Sequence, residues 1–140
     1  MNITMNDLVA ACSAEPGLPS PLSKMIEAKL PSAWALKFFF QAKAMFEKFT
    51  EFNNVRNQLI KDNGVENFKE KVLENGEVKK ESLGTYTVVK EKEDFVRSEI
   101  TAMLEVEIDI DLEPIDATLV AENVLTVKEF GALHFLFKKD

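Results

Sequence analysis

One cysteine, one histidine, one tryptophan and one tyrosine occur in 140 residues, with five glycines and five prolines. A lone cysteine, Cys12, excludes an intramolecular disulfide, and with only His134 beside it the chain cannot assemble a Cys/His zinc site from its own residues. No apolar run approaches the 18 residues of a membrane span. The start, Met1-Asn2-Ile3-Thr4-Met5-Asn6-Asp7, lacks the basic stretch and long apolar core of a secretory signal, so a cytoplasmic protein is expected. Basic excess is absent too: the formal net charge of −7 argues against direct nucleic-acid binding, which needs clustered Lys and Arg. Phosphate-binding glycine loops, nucleophile elbows and zinc-protease helices do not occur, so the expectation is a non-enzyme with no cofactor, no metal and no catalytic residue.

What is present is apolar periodicity, acid and phenylalanine. With 46% hydrophobic and 29% charged residues the chain reads as a single domain over 1–140. Residues 1–90 hold 12 Lys and Arg against 11 Asp and Glu, but residues 91–140 hold 5 against 13, which concentrates the negative charge in the C-terminal part. Such an acidic surface either keeps the molecule soluble or meets a basic partner.

Helix signals come in order. Thr4 and Asp7 form a capping-box pattern with Ile3 and Leu8 at the staple positions, so a helix starts at Met5. Three prolines and a glycine make 13–21 a loop, after which Ser20-Pro21 opens a helix burying Leu22, Met25, Ile26 and Leu30. Pro31 then starts a long helix, about 31–62, that ends at Asp62-Asn63-Gly64. Its core stripe is Ala35, Phe38, Ala42, Met45, Phe49, Phe52, Arg56 and Leu59, widened by Phe39, Phe46 and Ile60. At 1.5 Å per residue it spans about 45 Å.

Segment 62–84 reads as mobile and rich in charge, with Val65, Phe68, Val72 and Leu73 at helical spacing before an Asn75-Gly76 turn. A strand at 84–89 and a helix at 91–104, through Phe95, Val96, Ile100, Met103 and Leu104, follow. Val106, Ile108, Ile110 and Leu112 alternate with Glu105, Glu107, Asp109, Asp111 and Glu113, the pattern of a half-buried strand. Thr126 with Glu129 caps a final helix, with Leu125 and Phe130 at staple positions and Val127, Phe130, Leu133, His134 and Phe137 on its buried face. The resulting fold class is α+β: mainly helical, one long helix packed with shorter helices and a small antiparallel sheet.

Two surfaces are candidates for binding. The acidic face Glu105, Glu107, Asp109, Asp111 and Glu113 spaces its carboxylates about 6.6 to 6.8 Å apart, too far for a shared proton but suited to a row of basic partner groups. The run Phe38, Phe39 and Phe40 points around much of the helix, so at least one ring needs a partner protein or another subunit to cover it. Cys12 reads as a small buried thiol and His134 as a structural histidine.

The ordering of segments resembles a family of small, uncharacterised, acidic, helix-rich proteins of tailed bacteriophages. The features that carry it are Ile3-Thr4-Met5-Asn6-Asp7-Leu8-Val9, Lys29-Leu30-Pro31, Phe46 to Gly64 with Arg56-Asn57-Gln58-Leu59 at its centre, Glu99 to Ile110, and the capped helix from Thr126. The resemblance implies a viral assembly or accessory role and transfers no active site. Expected partners are a phage structural protein, a host protein or a second copy of the chain, in the host cytoplasm or the virion. Three functions follow as expectations: an interaction protein of virion assembly, an inhibitor of host defence that binds a basic protein through the acidic strand, or an oligomer that binds a small ligand.

Overall fold

In a computed structural model, residues 2–120 and 124–138 are described. The fold is α+β and mainly helical, with two small antiparallel sheets. Contacts group the chain into two compact units, residues 1–51 with 103–140, and Phe52–Ala102.

The first unit begins with β1 (Asn2–Thr4) running into α1 (Met5–Cys12). The Thr4 hydroxyl accepts from Asp7 N–H at 3.2 Å, and the Asp7 carboxylate accepts from Thr4 N–H at 3.1 Å, so two orphan donors of the first turn are satisfied reciprocally. Ile3 and Leu8 are both buried at the staple positions. After the proline-rich loop, α2 (Pro21–Glu27) is capped by Ser20, whose hydroxyl accepts from Ser23 N–H at 3.1 Å. Leu22 and Met25 are fully buried there, whereas Ile26 faces out, contrary to its expected burial.

Helix α3 (Ser32–Asp62) matches the long helix expected from the Pro31 and Gly64 signals. Phe38, Ala42, Met45 and Phe52 are buried, but Ala35 and Phe39, assigned to the apolar stripe by spacing, are exposed. The buried stripe is therefore narrower than the run of apolar letters: at 100° per residue Phe39 falls on the flank of the helix about 100° round from Phe38, and Phe40 on the opposite side at about 200°.

Residues 107–113 deliver the expected alternation: Ile108, Ile110 and Leu112 are buried while Glu107, Asp109, Asp111 and Glu113 are exposed. Only β4 (Glu107–Asp109) is ladder-paired, antiparallel to β1, with Ile3 opposite Ile108. Val106 does not join the buried set; its side chain is exposed while its carbonyl accepts from Met5 N–H at 2.8 Å. The last helix, α5 (Val127–Ala132), has its capping box, with Glu129 N–H donating to the Thr126 hydroxyl and Thr126 N–H to the Glu129 carboxylate. It stops at Ala132, and a 3-10 turn over His134–Leu136 rotates the following residues. Phe135 and Leu136 are buried in place of Val127 and His134, which face solvent. The change from 3.6 to 3.0 residues per turn shifts the phase at His134, while Val127 is exposed as the first residue of α5.

The core of this unit joins Leu8, Leu22, Met25, Phe38, Met45, Ile108, Ile115, Leu133 and Leu136 with their neighbours.

The second unit holds the end of α3, the strands β2 (Gly64–Val72) and β3 (Val78–Val88), and most of α4 (Glu93–Leu104). Gly64 is obligatory: a Cβ there would lie 2.6 Å from the Ile60 carbonyl oxygen and 2.8 Å from that of Thr87. Residues 64–72, whose apolar spacing suggests a helix, form a strand of the antiparallel β2–β3 hairpin. Asn75-Gly76 makes the tip, with Gly76 at φ 83° and Val72 opposite Val78. Pairing across this turn overrides the helical spacing of the apolar residues, and Phe68 and Val72 reach one face of the strand with Glu70 between them. Directly opposite residues share a face, so one face carries Phe68 with Ser82, Glu70 with Lys80 and Val72 with Val78, and the other carries Lys69 with Glu81 and Lys71 with Lys79.

Candidate functional site

Around the acidic row, Glu105 occupies the turn after α4, Glu107 and Asp109 lie in β4, and Asp111 and Glu113 continue beyond it. All five side chains are exposed, placed there by the burial of Ile108, Ile110 and Leu112 between them. Glu113 pairs with Lys37 of α3 at 3.2 Å. Both partners are about half exposed, which makes the pair a weak constraint. Among the described residues the other four carboxylates have no ion partner. Chemically, the row can attract cationic groups.

The three consecutive phenylalanines separate. Phe38 is 2% exposed in the core and is unavailable to a partner, so it drops out of the contact surface expected from sequence. Phe39 and Phe40 are 53% and 61% exposed, edge to face with ring centroids 6.2 Å apart. Leu36 on the same side of α3 is exposed as well.

Cys12 is buried, and desolvation pushes its thiol up to about 12, which leaves it protonated and unreactive at neutral pH. His134 is exposed; its Nδ1 lies 3.0 Å from the Gly131 carbonyl oxygen and its ring meets Phe135 edge-on. Arg56, the break in the apolar stripe, is half-buried with its guanidinium 5.9 Å from the Phe52 ring centre, a cation resting on an aromatic face. Among the described residues no group of three or more His, Cys, Asp or Glu is placed to hold a metal ion, and no helix is long and apolar enough to cross a membrane.

Sequence reading missed the most exposed apolar surface. In the second unit Val55, Val65, Phe68, Val72, Val78, Leu83 and Phe95 are all at least half exposed, against only Phe52 and Val96 buried. For the hairpin, the signal was Val72 and Val78 on either side of the Asn75-Gly76 turn. Set against family models, curated proteins and solved structures, the chain has no match.

Proposed function

We propose that the protein is a non-enzymatic protein–protein interaction protein of a tailed bacteriophage, with an assembly or minor structural role in the virion. The observation that supports this reading is the second unit, whose hairpin leaves Phe68, Val72 and Val78 exposed on one face, around the cross-strand pair of Glu70 and Lys80. A two-stranded hairpin is marginal by itself, and exposed apolar side chains with a charged pair between them gain stability when a partner of matching pattern covers them. Phe39 and Phe40 offer a second apolar contact, for a partner or another copy of the chain.

The test is affinity capture from phage-infected cells with a tagged copy, beside a Phe68→Ser, Val72→Ser, Val78→Ser variant. Recovery of a capsid, connector or tail protein by the parent chain and its loss with the variant is the expected result. Capture of the same proteins by both would sink the hairpin as the docking surface.

A second reading, inhibition of a host defence protein, draws on the four carboxylates without ion partners among the described residues. It predicts one basic host protein, released at high salt and lost with Asp109→Lys plus Asp111→Lys.

A further inference from the structure

The first unit contains a cleft of about 440 Å³ between the end of α1, the proline-rich loop, the start of α2 and α5. Its walls are apolar, chiefly Ala10, Ala14, Leu18 and Ala132. Two ion pairs stand along it, and they differ in kind. Lys24 Nζ lies 2.8 Å from Glu129 Oε2, with side chains 27% and 13% exposed, and the same carboxylate accepts from Thr126 N–H. Glu129 is held there by its cap as well as by Lys24, and the Lys24 hydrogen bond holds the Glu129 carboxyl below the usual carboxylate range. Lys128 Nζ lies 3.2 Å from Glu15 Oε1, but those side chains are 86% and 67% exposed. Water competes for both ends of the second pair, so it opens at small cost.

Glu15 is positioned at the mouth by a tight turn in which its carbonyl accepts from Leu18 N–H at 3.0 Å, with Gly17 at φ 79°. The same turn leaves Leu18, which lines the cleft, 56% exposed. Opening the outer pair therefore presents one ammonium and one carboxylate beside an apolar pocket with an uncovered leucine. A purely anionic ligand would take Lys128 and leave its own charge against Glu15. A purely cationic one would do the reverse. A zwitterion satisfies both, and an apolar side chain on it would displace water from the alanine and leucine walls. The volume falls within the roughly 300 to 1,000 Å³ typical of small-molecule sites.

We propose that this cleft binds a small zwitterion with an apolar side chain, the shared chemistry of a free apolar amino acid and of an apolar dipeptide. Glu15 receives the ammonium, Lys128 receives the carboxylate, and the Lys24–Glu129 pair is the fixed wall. This site is independent of the partner reading above.

The experiment is titration of the full chain, followed by amide chemical shifts, with leucine, the dipeptide Leu-Leu, 4-methylpentanoate and 3-methylbutylamine. The expected result is saturable shifts at residues 13–21 and 126–132 with at least one zwitterion, and at least tenfold weaker binding of both single-charge analogues. Glu15→Gln and Lys128→Gln, both at exposed positions that the fold does not need, should each weaken the zwitterion at least tenfold. Tighter binding of leucine identifies a free amino acid, and tighter binding of Leu-Leu identifies a peptide. Shifts of equal affinity with a single-charge analogue, unaltered affinity in both variants, or no saturable shift with either zwitterion at millimolar concentration would each overturn the proposal.

Discussion

Leu8, Leu22, Met25, Met45, Ile115, Leu133 and Leu136 in the first unit are completely shielded from solvent, whereas the second unit of 51 residues buries only Phe52 and Val96 among its hydrophobic side chains. Both units are built from helix and antiparallel strand, so element type does not explain the difference. Layering does. In the first unit, β1 and β4 bury Ile3 and Ile108 in one core cluster with residues of α1, α2 and α3. In the second, the β2–β3 hairpin leaves both Phe68 and Val72 on one side and Lys69 and Lys71 on the other in contact with water. A dense core and a set of exposed apolar side chains are then divided between the units.

The largest expected contrast comes from truncating apolar side chains on each side of this division. Leu133→Ala should cost about 2 to 5 kcal/mol in urea denaturation, because a fully buried leucine leaves a cavity. Val72→Ala, at a position 70% exposed, should stay within about 0.5 kcal/mol. Similar losses at the two sites would erase the distinction between the units.

A middle-sized effect is expected at the cap of α1. Replacing Thr4 by Ala removes the acceptor for Asp7 N–H and should cost about 1 kcal/mol, seen as faster amide exchange across Met5–Cys12 and little change in the hairpin. An equal response in the hairpin would mean that the two units unfold together.

Acid provides a comparison within the first unit. The folded Glu129 carboxyl titrates below its unfolded value, so its contribution is complete above the ordinary carboxylate range and is lost as pH falls through the depressed folded value. Glu129→Gln should therefore lower stability at pH 7 and flatten the acid limb of the stability curve. An unchanged acid limb would mean that Glu129 does not carry that part of the acid sensitivity.

The smallest effect sharpens the second unit. Lys71 and Lys79 face each other across the hairpin, and Lys71→Glu should stabilise it by about 0.2 to 1 kcal/mol in the absence of salt, with the gain shrinking as salt is added. A salt-independent change would trace to something other than this charge pair.

Much of the first unit was legible because its signals are local. Thr4 with Asp7, Ser20 with Pro21, and Thr126 with Glu129 each fix a helix start through side chains three residues apart or adjacent. The alternation from Glu107 to Glu113 likewise announces its buried and exposed sides. The errors lie where competing structures share one letter pattern. Phe39 is as apolar as Phe38 but lies one step round α3 and outside the buried stripe, and residues 65–73 carry a helical apolar spacing that the partner strand overrides.

The candidate surfaces follow the same division. The carboxylate row could be read from spacing, since a strand sends alternate residues outward. The cleft beside the proline-rich loop could not, because Glu15 and Lys128 are 113 residues apart in the chain, and no local rule pairs them.

By itself, the sequence determined the helix starts, the stop at Gly64, the turn at Asn75-Gly76 and the outward acidic row, all of which rest on capping, backbone freedom or side-chain period within a few residues. Only the tertiary structure decided which phenylalanines are covered, that 64–72 pairs as a strand, and that α5 closes against the proline-rich loop. Those outcomes depend on burial and on partners distant in the chain, and the free energy of such contacts exceeds the small preferences that single residues carry.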